Sequence, residues 1–161
     1  MKKTLSCLVI ALFVSSTIFA QSSEMISTII KSEKATYAQA AYLPALYANL
    51  ISEEEALGAF SQGSQASNEA ALEAFKSKGW LSDSVNADSE ITLGQVCYLY
   101  ARALNIKGGL FYSITHSERY AFKEFKAKGI LPSEADPGMK LSGRESIDIF
   151  NSCLEFTGGN E

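Results

Sequence analysis

Few residues in this chain have the type and spacing that chemistry requires, and one of them is its single histidine. With only His116, a multi-histidine metal site is excluded, and a Ser–His–Asp arrangement would rest wholly on that residue. Asp83, Asn86, Asp88 and Glu90 gather oxygen ligands in one segment. Their spacing fails the calcium-loop pattern, which needs ligands at alternating positions and a glycine at the sixth. Glycine-rich phosphate loops, paired zinc cysteines and nucleophile elbows are absent from the sequence. No catalytic residue, metal ligand or cofactor is therefore assigned.

Other residues suit binding. The cluster Phe111, Tyr112 and Tyr120 combines apolar area with hydroxyl groups and is the candidate partner or ligand surface, with core packing as its alternative. Lys76, Lys78, Lys126, Lys128 and Arg144 extend that surface, or else form ordinary solvated helix faces. Cys97 and Cys153 either bond to each other, at about 2–4 kcal/mol of stabilisation through loop closure, or remain inert buried thiols.

The elements that position these residues follow from an internal repeat. Ala71 to Leu81 aligns without gaps with Ala121 to Leu131, and Ala, Phe, Lys, Lys, Gly and Leu are shared. At the same offset Ile91 meets Leu141, Thr92 meets Ser142, Gln95 meets Glu145, Leu99 meets Ile149, Tyr100 meets Phe150 and Leu104 meets Leu154. Each unit reads as helix, turn, extended loop, helix. Leu72 and Phe75, like Phe122 and Phe125, fall three apart on one helical face. Gly79 and Gly129 then offer a left-handed C-cap, closed by Trp80-Leu81 and Ile130-Leu131. The second helices open with capping boxes, Thr92 to Gln95 and Ser142 to Glu145. Leu99, Tyr100 and Leu104, with Ile149, Phe150 and Leu154, supply their apolar stripes.

Flanking regions are less regular. Met25, Ile26, Ile29 and Ile30 recur at helical spacing, Ala38 to Leu46 resume it, and Pro44 marks a kink or a new start. Residues 61–68 read as a loop, and Leu110 to Ile114 as a short strand or a buried loop, with Thr115 and Glu118 capping the next helix. The expected class is all-α: a pseudo-symmetric bundle of two helix-loop-helix units, 69–106 and 119–156, plus an N-terminal helical region.

Composition sets the bounds. The chain has 161 residues, 47% hydrophobic and 20% charged, which is enough for one core and too hydrophobic for disorder. Lys2 and Lys3, the apolar run from Leu5 to Phe19, and Ala20 read as a secretory signal peptide over residues 1–20, leaving a single helical domain over 21–161. Losing those two lysines takes the net charge from −4 to −6. That balance argues against nucleic acid, which rewards basic patches, and no membrane span is expected after cleavage. The expected location is a bacterial periplasm or cell envelope.

Ser67 to Leu81 followed by Thr92-Leu93-Gly94-Gln95, and Thr115 to Leu131 followed by Ser142-Gly143-Arg144-Glu145, resemble the S-layer homology module. In that family a helix ending Lys-Gly-Ile precedes a loop and a helix opened by Thr-Arg-Ala-Glu. The family's arginine is replaced by Leu93 and Gly143, with Arg144 one place later. The resemblance implies a pseudo-threefold helical arrangement that attaches proteins to cell-wall polysaccharide. Three functions follow as expectations: a non-catalytic module holding an envelope or periplasmic protein, a wall polysaccharide or peptidoglycan binder, and a small carboxylate-dependent hydrolase.

Overall fold

Three helices start in the same way, and their first turns explain the architecture. Four N–H groups at the start of any α-helix lack partners within it. In the computed structural model, which describes residues 23–159, helix α2 (Tyr37–Tyr47) satisfies all four. Thr36 N donates to Gln39 Oε1 at 3.2 Å and Gln39 N to Thr36 Oγ1 at 3.3 Å, while Tyr37 N and Ala38 N donate to Ser89 O and Ala87 O of a distant loop. Helix α5 (Leu93–Ala103) repeats the scheme: Thr92 N donates to Gln95 Oε1, Gln95 N to Thr92 Oγ1, Leu93 N to Met139 O and Gly94 N to Pro137 O. Helix α8 (Gly143–Gly158) shares the box through Ser142 and Glu145, and its Gly143 N donates to Ser32 O at 2.9 Å. Each helix start is thus tied to the segment that precedes another of the three.

The segments themselves meet. Ile91 N donates to Ala35 O at 3.0 Å and Ala35 N to Leu141 O at 2.6 Å. Among the described residues, sheet-like pairing is confined to two isolated antiparallel bridges, Thr36 with Glu90 and Thr92 with Lys140. Lys34 pairs with the Glu90 carboxylate, and Lys140 Nζ donates to Glu90 O, on the rim of this junction.

Five further helices complete the described chain: α1 over residues 23–31, α3 (Glu53–Phe60), α4 (Ser64–Ser77), α6 (Leu110–Thr115) and α7 (Glu118–Ala127). The protein is mostly helical, as expected. α2 packs on α4, α5 on α7 and α3 on α4, while α2 also touches both α5 and α8. α5 is the most enclosed: Leu93, Gly94, Val96, Cys97, Leu99, Tyr100, Ala101 and Ala103 are all buried. Its Tyr100 hydroxyl, fully buried, pairs with Ser146 Oγ of α8 at 2.6 Å. Leu72, Phe75, Leu99, Leu104, Phe122, Phe125, Leu131 and Phe150 are buried core residues, and Trp80, Leu81, Ile130, Ile149 and Leu154 pack half-buried against them.

The glycine caps form as the sequence indicates. Gly79 (φ 67°) and Gly129 (φ 73°) are left-handed, with Trp80 N donating to Phe75 O at 3.1 Å and Ile130 N to Phe125 O at 2.9 Å. Asn49 and Asn105 take the same left-handed role after α2 and α5.

Four expectations change. Pro44 does not start a new helix: it is buried inside α2, where the packing of Ala41, Tyr42 and Ala45 outweighs one lost backbone bond. The 61–68 loop is shorter than read: α4 already starts at Ser64, and Ser67 is buried with its hydroxyl donating to Ala56 O at 2.6 Å. Leu110 to Ile114 is helical, neither strand nor buried loop. The bonds at the junction join three helix starts where two units were expected. The signal-peptide segment 1–20, with Cys7, lies outside the described residues. Among the described residues no helix is long and apolar enough to cross a membrane.

Gly143 is where this arrangement is least tolerant. A Cβ there would sit 1.8 Å from Ile29 O, a backbone atom of α1. Gly143→Ala is expected to cost about 2–4 kcal/mol, read as a lower urea midpoint. Gly58→Ala, on the solvent side of α3 with nothing within 4 Å of the added carbon, is expected to raise the midpoint, by about 0.5–1 kcal/mol.

Candidate functional site

After α5 ends at Ala103, the chain passes the left-handed Asn105 and turns through Lys107, Gly108 and Gly109 into α6. The turn is closely fitted: a Cβ at Gly108 would lie 2.6 Å from the Tyr112 ring and 2.8 Å from Glu124 Cγ. Gly109 N donates to Glu124 Oε1 at 2.7 Å, which anchors the start of α6 to α7. His116 ends the helix in a left-handed conformation (φ 44°), its N–H bonded to Tyr112 O at 2.8 Å. The Thr115–Glu118 cap does not form. α7 opens at Ser117 with no side-chain cap, and the Thr115 hydroxyl bonds back to Phe111 O at 2.8 Å.

Six residues of helix between two fixed ends leave little to bury. Tyr112 alone of α6 is buried; Leu110 is 72% exposed, Phe111 63% and Ile114 69%. Leu110, Phe111 and Ile114 are spaced as one apolar helix face presented to solvent. Phe111 stacks on Tyr120 of α7 (centroids 5.5 Å apart, planes 12°), and Lys123 Nζ lies 5.6 Å from the Tyr120 centroid. The aromatic cluster is therefore split: Phe111 and Tyr120 form an accessible platform, while Tyr112 belongs to the core.

The cations do not act as one patch. Lys76 pairs with Glu73 at 2.8 Å, Lys126 lies over Phe122 (5.4 Å) and Lys128 over Phe156 (5.3 Å). Each of these ammonium groups is thus engaged by a neighbour of its own, a carboxylate or an aromatic face. Lys78 and Arg144 are exposed. Lys126 also borders a cleft of about 520 Å³ shared with Thr92, Gly94, Glu118, Phe122 and Pro137. Glu118 there is pushed above the usual carboxyl range by loss of solvent.

Cys97 and Cys153 are both buried, and both thiols are free. The disulfide drawn as one alternative is not formed. Burial raises both thiols, Cys153 to about 12, and the proximity of Cys153 adds to the rise at Cys97. Thiols held neutral in this way are poor nucleophiles. His116 is exposed, edge-on to the Tyr112 ring at 5.4 Å. Asn86 Oδ1 accepts from Asp88 N at 2.9 Å as an ordinary turn, and Glu90 is engaged with Lys34. Among the described residues, no group of three or more His, Cys, Asp or Glu side chains is arranged to hold a metal ion.

Two features escaped the sequence reading. One is the likeness of α2 to α5, visible at an offset of 56 residues: Thr36 matches Thr92, Gln39 matches Gln95, Tyr42 matches Tyr98, Ala45 matches Ala101 and Asn49 matches Asn105. The other is the apolar face of α6, signalled by Leu110, Phe111 and Ile114 after a double glycine. Comparison with known proteins yields no match to a family model, to a curated protein or to a solved structure.

Two outcomes follow from the thiols and phenols. Denatured without reductant, a chain starting after Ala20 is expected to give two reactive thiols by colorimetric titration, and none while folded. Cys153, Tyr37 and Tyr112 are each raised by burial to about 12, from ordinary values of 9.0 for the thiol and 10.0 for the phenols. The fold holds their protons and the unfolded chain releases them first, so their stabilisation is complete below pH 9 and is lost progressively as pH rises toward 12. Urea midpoints measured across that range should fall steadily.

Proposed function

We propose that this chain is a non-catalytic module of the bacterial cell envelope that engages a protein partner through the exposed face of α6. The carrying observation is the arrangement of Leu110, Phe111 and Ile114, all well over half exposed on one short helix. Contiguous apolar surface of this kind is costly to leave in water and marks interaction sites. Tyr120 widens the platform and Lys123 borders it, so a partner segment with apolar side chains flanked by a carboxylate fits best. Export to the envelope rests on the sequence of residues 1–20.

A second reading, attachment to wall polysaccharide, is favoured by a different observation. Three helix starts joined in a closed set of backbone bonds would make residues 23–159 a pseudo-threefold arrangement, the kind that the S-layer homology resemblance implies, with α2 contributing the third unit. The cleft beside Lys126 would then be the glycan-facing feature.

A photoreactive phenylalanine analogue at position 111 separates the readings in the native cell. The expected result is one discrete crosslinked species containing a second, different protein, reduced about tenfold by Ile114→Glu with unchanged thermal melting. An adduct of two copies of this chain would overturn the partner assignment. Absence of any adduct, together with sedimentation on purified wall that Lys126→Glu abolishes, would replace it with the glycan reading.

A further inference from the structure

On the opposite side of α6 from its apolar face, α5 and the turn after α4 enclose a cleft of about 370 Å³ that neither reading uses. Its wall includes Trp80, Arg102, Asn105, Lys107, Tyr112 and His116. Trp80 is firmly placed: its carbonyl accepts from the Tyr98 hydroxyl at 2.7 Å, and its ring meets Phe75 edge-on at 5.7 Å. The Arg102 guanidinium lies over that ring, 4.9 Å from the centroid. Trp80 thus acts as a platform that fixes the orientation of the arginine.

Arg102 is under-used in this position. Guanidinium is permanently charged and carries five N–H donors. Its Nε is buried with no hydrogen-bond acceptor, and the ion pairs found among the described residues, Lys34 with Glu90 and Lys76 with Glu73, do not involve it. Buried donors without partners are rare in native proteins, and those of charged groups are the most costly. Glu124 of α7, packed against Gly108, accepts from Gly109 N through Oε1 and does not line the cleft. Arg102 and Lys107 therefore give the cleft two positive charges, with no Asp or Glu among its described lining residues, in a chain whose overall charge is −4.

We propose that this cleft binds a small organic oxyanion, a carboxylate or phosphate ester carried on a compact polar body of the size of one sugar ring. Arg102 supplies the fork that matches an oxyanion and Lys107 adds a second charge at the mouth. Asn105, Ser113 and His116 offer side-chain hydrogen-bonding groups for the polar body. The volume is near the lower end of small-ligand sites, which favours a single residue-sized molecule over a polymer.

Trp80 is the only tryptophan in the chain, so its fluorescence reports this cleft directly. Titration of the purified chain with glucuronate and with glucose 6-phosphate is expected to give a saturable change, with neutral glucose giving none. The tighter of the two anions identifies which oxyanion the arginine prefers. Arg102→Gln should weaken binding at least about tenfold. Lys107→Ala, at an exposed side chain, should weaken it severalfold with melting unchanged, and added salt should act in the same direction. Equal responses to glucose, or no saturation by either anion, would overturn the proposal. If Arg102→Gln does not fold, Lys107→Ala and Lys107→Glu decide it, and unaltered affinity in both overturns it.

Discussion

Backbone hydrogen bonding at the start of three helices is the constraint on which the rest of this structure depends. A capping box satisfies two of the four orphan N–H groups of a first turn, those of the cap residue and of the third helical residue, leaving the first two helical residues in need of outside acceptors. Here the acceptors are carbonyls of the loop leading to another helix: Ser89 and Ala87 for α2, Met139 and Pro137 for α5, Ser32 for α8. A loop carbonyl can reach a helix start only if nothing stands between, and Gly94 and Gly143 are at those positions. A Cβ on Gly94 would meet Pro137 at 3.3 Å, and on Gly143 it would collide with Ile29 O. Close approach of the backbone is what these two glycines provide.

Once these starts are joined, the position of everything else is constrained. The central helices present Tyr100, Phe150, Leu99 and Val96 to a common interior, and the outer helices close it with Phe75 and Phe125. The Tyr100 hydroxyl inside is paired with Ser146, and the Ser67 hydroxyl with Ala56 O. Connectors are left to span whatever distance remains. α6 is such a connector, held by Glu124 at one end and a left-handed His116 at the other, too short to bury more than Tyr112. Its exposed leucine, phenylalanine and isoleucine, and the cationic cleft on its other side, both arise because a connector between packed helices has two sides that the core does not use.

Much of the fold was legible in the sequence because the signals were local. Gly79 and Gly129 end helices because a left-handed cap excludes most side chains, and the four-residue boxes at Thr92 and Ser142 form ahead of apolar stripes, whereas the box offered by Thr115 and Glu118 does not. The third box at Thr36 was equally legible, but its relation to α5 lay at an offset of 56 and was masked by the different loop lengths around it. The candidate surface was legible only in part. Phe111, Tyr112 and Tyr120 are near neighbours in sequence, yet which ring is buried depends on where Glu124 and Gly108 hold the helix, and that is a contact between α6 and α7.

Sequence by itself determined the helical class, the caps, the apolar stripes and the poverty of catalytic groups, because each of these follows from residue type at short range. Tertiary structure decided that the two thiols stay unbonded, that α2 passes through Pro44, that α6 is a helix with an exposed apolar face, and that Arg102 lies unpaired over Trp80. Those outcomes depend on which distant backbone and side-chain groups are brought within a few ångströms of each other, and spacing along a chain carries no information about that distance until the helix starts are joined.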